Sequence, residues 1–199
     1  MESARTGKWT YWHENGQKES EGHFLEGKQE GHYTSWFDNG NKEAEGDFKN
    51  DKKDGKWIFY YKNGQMREEF VYKNDGFVVL SYWTEKGEQQ VKSGNGHYTY
   101  LDDYGNKKRE GALKGGMEDG EWILYTDKGN KEALVTYLSG KKNGKCMNYY
   151  PDGKTKSEGN YKDDKKNGYW KFYFRNGSME MEGLVTNDKN EGKIGRAHV

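Results

Sequence analysis

Leucine, isoleucine and valine are scarce in these 199 residues, and hydrophobic residues of all kinds make up 31% against 33% charged. Little aliphatic content with high charge normally marks a disordered chain. Disordered chains are poor in rings, however, and here 16% of the residues are aromatic, so apolar burial has to come from rings at fixed positions. Cysteine occurs once, at Cys146, which excludes an intrachain disulfide. Proline also occurs once, at Pro151, just ahead of a turn where it is tolerated. No apolar run approaches the ~20 residues of a membrane-spanning helix. The 33 acidic and 33 basic residues are interspersed, leaving no basic block to attract nucleic acid. The opening MESARTG lacks the apolar stretch of a secretory signal, so a cytoplasmic location is expected.

What the chain does have is glycine, 28 of them, at regular intervals. One glycine recurs as Gly7, Gly31, Gly55, Gly76, Gly96, Gly120, Gly144 and Gly168, mostly 24 residues apart. It opens a unit that reads G-x-W-x-x-aromatic, then a turn, then a charged strand containing E-G, then another ring. The expected fold is all-β: an elongated antiparallel sheet or solenoid of about eight stacked β-hairpin repeats. A single array is expected over 1–193, with the unit opening at Gly76 degenerate. That unit has two extra residues before its turn glycine Gly87 and a shortened second strand. Its FVVLSYW stretch reads either as a repeat patching its own packing or as a bend or partner site. Residues 194–199, IGRAHV, read as a non-native tail, one frame of a sequencing adapter.

Asn15-Gly16, Asn39-Gly40, Asn63-Gly64 and Asn176-Gly177 predict two-residue type I′ hairpin turns. Asp152-Gly153, Lys128-Gly129 and Tyr104-Gly105 hold the same place with weaker turn chemistry. That register sets Trp9 opposite Gly22, Tyr11 opposite Ser20, Tyr33 opposite Gly46 and Trp170 opposite Gly183. One face thus repeatedly pairs a ring with a glycine, whose bare backbone the ring shields. Phe24, Phe48, Tyr72, Tyr137 and Tyr161 are placed to interleave with Trp9, Tyr33, Trp57 and Trp122 as one aromatic ladder. Equivalent rings of successive hairpins, two strands or about 9–10 Å apart, are too distant for direct contact. On the opposite, polar face Thr10 faces Glu21 and Trp12 faces Glu19.

That polar face carries the candidate binding residues, Trp12, Trp36, Tyr60, Tyr125, Tyr149 and Tyr173: rings standing among charges can anchor a partner or a sugar. The alternative reading is that they pack against each other or a neighbouring molecule. No residues are assigned to catalysis or to a metal. The five histidines His13, His23, His32, His97 and His198 make no metal-ligand spacing. Cys146 takes the place of a ring and reads as a small packing residue. Glu21, Glu45, Glu69, Glu110, Glu158 and Glu182 recur at one place in the unit and read as a solvated row, since catalysis needs a unique constellation. Lys52-Lys53, Lys141-Lys142 and Lys165-Lys166 read as solvated turns, or as a row of ammonium groups for lipid phosphate. No cofactor and no enzyme activity are expected.

With Gly55-Lys56-Trp57, Tyr60-Tyr61, Asn63-Gly64 and Glu158-Gly159-Asn160-Tyr161 in place, the chain from Gly7 to Lys193 resembles the MORN-repeat variant family of bacteria, often labelled antitoxin components of toxin–antitoxin systems. The resemblance implies β-hairpin arrays that scaffold protein–protein association, with a membrane lipid surface as a second partner class and no nucleic acid. A second likeness is to cell-wall choline-binding repeats, whose rings cage a quaternary ammonium. It makes an aromatic-lined module for cell-wall glycan, choline or lipid headgroups the alternative, although the 24-residue spacing fits the first family better.

Overall fold

The computed structural model describes residues 4–74, 76–102 and 104–196, with side chains described through residue 191. Among them there is no helix. They form eighteen strands, every described pairing antiparallel, and the chain divides into two compact units, Met1–Gly96 and His97–Val199. In the first unit the strands are Gly7–Trp12, Lys18–Leu25, Lys28–Trp36, Lys42–Lys49, Lys52–Tyr60, Met66–Lys73, Gly76–Trp83 and Gln89–Lys92. Asn95–Leu101 spans the division. The second unit continues with Lys107–Lys114, Met117–Tyr125, Lys131–Leu138, Lys141–Tyr149, Thr155–Lys162, the pair Lys165–Lys166 and Gly168–Tyr173, Met179–Thr186 and Lys189–Arg196. The last strand sets Gly195 and Arg196 opposite Glu182 and Met181, so the proposed tail at 194–199 lies partly in it, and Ala197–Val199 lie outside the described residues.

The ring-to-glycine register is observed. Trp9 pairs with Gly22, Tyr11 with Ser20, Tyr33 with Gly46 and Trp170 with Gly183. The turns that produce it differ from the sequence expectation. At the first tip His13 N–H donates to the Gln17 carbonyl at 2.8 Å and Gly16 N–H to the His13 carbonyl at 2.9 Å, which is a three-residue loop. Gly16 has φ +83° while Asn15 stays out of the left-handed region, as in a type I turn closed by a glycine bulge. A three-residue loop alone would slip every pair by one. An extra residue, Glu19, is bulged out between Lys18 and Ser20 and restores the register. Trp12 therefore faces Lys18 and not Glu19. Glu43, Arg67, Glu132, Lys156 and Glu180 are the equivalent bulged residues in their repeats.

Only the glycine of each tip has to be left-handed, so Tyr104, Lys128 and Asp152 before it cost nothing. Asparagine at that place serves another purpose. The Nδ2 groups of Asn15, Asn39 and Asn63 donate to the carbonyls of Asp38, Lys62 and Glu85 in the next tip, at 2.6, 2.8 and 3.3 Å. Two-residue turns with positive φ at both centres lie between repeats, at Glu26-Gly27, Asn50-Asp51, Ser93-Gly94, Gly115-Gly116, Ser139-Gly140, Asp163-Asp164 and Asn187-Asp188.

Burial concentrates on the ring face of each unit. Trp57 in the first and Trp122 and Trp170 in the second are 1% exposed. The expected interleaving holds, with ring centroids 5.3 Å apart for Tyr33–Phe48, 5.0 Å for Phe48–Trp57, 6.4 Å for Trp57–Tyr72 and 6.2 Å for Trp122–Tyr137. Tyr33 and Trp57, in successive hairpins, also touch, at 6.0 Å. They can do so because Gly46, between them, has no side chain and Trp57 leans into the space. A Cβ at Gly46, Gly111 or Gly159 would fall within 3.0 Å of Trp57, Trp122 or Trp170 of the following hairpin. Gly46 thus has one ring across its own hairpin, Tyr33, and a second, Trp57, lying over it, whereas Gly159 faces Cys146 across its hairpin and has only Trp170 over it. The register shifts beside each such glycine, and the indole N–H donates there: Trp57 to the Asp47 carbonyl and Trp122 to the Ala112 carbonyl, both at 2.9 Å, and Trp170 to the Asn160 carbonyl at 3.2 Å.

In the second unit Cys146 interrupts the ladder as a 2% exposed packing residue among Ala133, Val135, Trp170 and Val185, and burial raises its thiol pKa. In the degenerate repeat Val79, Ser81, Tyr82 and Val91 are buried, which is the packing reading of FVVLSYW.

Candidate functional site

Each candidate ring ends the opening strand of its hairpin, on the face opposite the buried ladder. Tyr60, Tyr125 and Tyr173 reach from there to a glutamate of the preceding hairpin. The hydroxyls of Tyr60 and Tyr125 donate to Glu45 and Glu110, and that of Tyr173 donates to Glu158 at 2.7 Å. Tyr149 lacks such an acceptor because Leu134 stands where the carboxylate would be, and its hydroxyl meets the Met147 sulfur at 3.8 Å. Trp36 receives the Lys18 ammonium 5.5 Å from its ring centroid. Trp12 is 59% exposed, the most open of the six.

The glutamate row is not simply solvated. Lysines three residues earlier fold onto it: Lys18 onto Glu21 at 2.9 Å, Lys42 onto Glu45 at 2.7 Å and Lys107 onto Glu110 at 2.8 Å. Lys8 reaches Glu21 at 2.7 Å and Lys56 reaches Glu69 at 2.6 Å from the facing strand. Hydrogen bonds from Lys18 and then Lys8 pull the Glu21 carboxyl down to about 2. Glu45 and Glu110 lose solvation, which raises them, yet hydrogen bonds from Lys42 and Tyr60, and from Lys107 and Tyr125, hold both below the ordinary value. The tyrosines move the other way. Burial and then Glu110 push Tyr125 up to about 12, and the Glu158 hydrogen bond, then burial, pushes Tyr173 to about 12. At neutral pH these hydroxyls are donors and not nucleophiles.

The lysine pairs between repeats are only half solvated. Lys52, Lys141 and Lys165 are exposed, whereas their neighbours fold over the ring ladder. The Lys53 ammonium lies 4.5 Å from the Trp57 centroid, 4.6 Å from Phe59 and 5.6 Å from Tyr72, and burial lowers its pKa. Lys166 lies 4.4 Å from Trp170, and Lys142 lies 5.3 Å from Tyr161. Sequence reading missed these caps. A basic residue two places before the opening glycine, at Arg5, Lys53, Lys142 and Lys166, was the available signal.

The histidines stay apart: His13 bonds the Trp36 carbonyl at 2.8 Å, His32 lies 3.3 Å from Asp47 and His97 lies 3.6 Å from Glu110. His23 is exposed, and His198 lies outside the described residues. Among the described residues no cluster of three or more His, Cys, Asp or Glu could hold a metal, and no helix is long and apolar enough to cross a membrane.

The family model described as MORN repeat variant matches residues 5–26, 29–50, 53–74, 142–163 and 166–187, more than half of the chain. The matched stretches begin two residues before the opening glycines Gly7, Gly31, Gly55, Gly144 and Gly168, and each closes on an inter-repeat turn. No curated protein matches the sequence.

Proposed function

This chain belongs to the MORN repeat variant family, whose repeats are binding modules for proteins or membrane phospholipid, and from that premise we propose that it is a non-enzymatic scaffold for protein–protein association. The observation that carries the proposal is the division of labour between the faces. Rings on the ladder face are consumed by stacking, down to 1% exposure at Trp57, Trp122 and Trp170. Rings on the other face are exposed at Trp12 and half-buried at the other five, with lysine–glutamate pairs beside Trp36, Tyr60 and Tyr125, where an aromatic anchor with a polar rim suits a protein partner. The narrower role suggested by the family label is the antitoxin component of a toxin–antitoxin pair.

The test is capture with the tagged chain from its native cells, against a variant carrying Trp12→Ser, Trp36→Ser and Tyr60→Ser with unchanged circular dichroism. One stoichiometric protein partner, lost with the variant, is expected. A partner whose growth arrest is relieved by co-expression of this chain supports the antitoxin role, and a harmless partner contradicts it. The choline or glycan alternative has less room. The best three-ring cage, made by Trp57, Phe59 and Tyr72, already holds the ammonium of Lys53. A saturable tryptophan-fluorescence response to choline would favour that alternative over the scaffold.

A further inference from the structure

The polar face repeats one three-part arrangement: a glutamate, a ring from the following hairpin, and a lysine three residues before the glutamate. Lys18, Glu21 and Trp36 form it, with the ammonium 2.9 Å from the carboxylate and 5.5 Å from the ring centroid. Lys107, Glu110 and Tyr125 form it again, at 2.8 Å and 5.4 Å. Lys42 bonds Glu45 at 2.7 Å beside Tyr60, which donates to the same carboxylate. In each case an alkylammonium sits on a charge and next to a π face, the two features that bind such a cation.

The repeat opening at Gly144 keeps two of the three parts. Glu158 accepts the Tyr173 hydroxyl at 2.7 Å, but the lysine position is Thr155. A threonine hydroxyl ends after one carbon and carries no charge. An open groove of about 450 Å³ occupies this place, lined by Thr155, Glu158, Tyr173 and Asn176 with the turn glycines Gly153 and Gly177. Glu158 forms no ion pair among the described residues. Lys171 faces it across the strands and Lys154 lines the groove. The same positions elsewhere in the chain thus show what this groove accepts.

We propose that the groove at Thr155, Glu158 and Tyr173 is a binding site for the ammonium of a lysine side chain from a protein partner, taking the position that Lys18, Lys42 and Lys107 fill in their own repeats. The incoming ammonium bonds the free oxygen of Glu158 and rests against the Tyr173 ring, while the lysine stem lies along the groove between the two hairpin tips. A lysine docked here reads the partner by one point of charge, so the rest of the interface has to come from the neighbouring surface. The site rests on the protein-association reading and names the partner's chemistry.

The experiment is a titration of the isotope-labelled full chain with Nα-acetyl-lysine N-methylamide, followed by NMR, with the Nε-acetylated form of the same probe as control. Saturable shifts confined to Thr155, Glu158, Tyr173 and Asn176 are expected, with none from the acetylated probe. Thr155→Lys fills the groove from within. It is expected to weaken the probe roughly tenfold or more, as loss of a charge-assisted hydrogen bond does, with the amide spectrum still dispersed. Equal shifts at Glu45 and Glu110, an equal response to the acetylated probe, or unchanged binding by Thr155→Lys overturns the site. Probe failure with a protein partner still captured overturns this site alone. A probe response with no partner captured overturns the scaffold reading alone.

Discussion

The indole of Trp57 lies against the bare backbone of Gly46, in the preceding hairpin, and donates its N–H to the Asp47 carbonyl at 2.9 Å. Trp122 and Trp170 repeat the relationship at Gly111 and Gly159. A single hairpin is marginal in water. At these three places the contact makes one hairpin the cover of the one before it, so stability is a property of neighbouring repeats.

Gly46→Ala should therefore be strongly destabilising. Its Cβ would meet the Trp57 ring within 3.0 Å, and the ring is packed on all sides. A loss of about 2–3 kcal/mol is expected from forced overpacking. Gly22→Ala meets the half-buried Tyr33 ring no closer than 3.0 Å and should cost less than half as much. Urea unfolding of the two variants checks the order. Equal losses would contradict the packing account.

The two kinds of turn separate in mutagenesis. Glu26 has φ +51° in a two-residue turn with Gly27, so Glu26→Asn should stabilise by about 0.5 kcal/mol, since asparagine tolerates that region. Asn15→Gly, at a tip residue outside the left-handed region, should destabilise: it removes the 2.6 Å link to the Asp38 carbonyl and adds chain entropy. Thermal unfolding midpoints moving in opposite directions are the expected result.

Acid stability follows from the glutamate row. Glu45, Glu69 and Glu110 titrate below their ordinary 4.5 in the folded chain, and Glu21 does so at about 2. A depressed carboxyl stabilises fully above its unfolded value, and the contribution is lost as pH falls through the folded value. Stability should therefore decline from about pH 4.5 down to about pH 2. Glu45→Gln should be destabilising at pH 7 and indistinguishable from the parent near the acid end, as read from urea midpoints across pH.

Alkaline behaviour has the opposite sign. Tyr125 and Tyr173 ionise near 12 in place of 10.0, so their contribution holds below 10 and is lost as pH rises toward 12. The leading causes differ. The Glu158 hydrogen bond dominates at Tyr173, whereas burial dominates at Tyr125. Glu158→Gln should thus lower the Tyr173 titration by more than Glu110→Gln lowers that of Tyr125, measured by ring-carbon NMR.

The hairpin repeat, the ring-to-glycine register and the packing role of Cys146 were legible because period and residue type settle them. The turn type was not. Asn-Gly signals a type I′ turn locally, but a bulged Glu19 compensates a three-residue loop, and both routes give Trp9 opposite Gly22. Only the pair nearest the turn, Trp12 with Lys18, reveals the difference. The six rings end their strands on the polar face as the pattern predicts, but the bonds of Tyr60, Tyr125 and Tyr173 to glutamates of the preceding hairpin depend on contacts between repeats that strand pattern alone does not encode. The lean of Trp57 onto Gly46 escaped for the same reason: it needs a side chain to be absent on one hairpin and a ring to be present on the next.

The α-proton chemical shifts of Gly46, Gly111 and Gly159 test the covering of each hairpin by the next most directly. With an indole face against each, all three should lie well upfield of ordinary strand glycine, and Trp57→Ala should return Gly46 alone to the normal range. Ordinary shifts at all three, or a Gly46 shift untouched by Trp57→Ala, would contradict it.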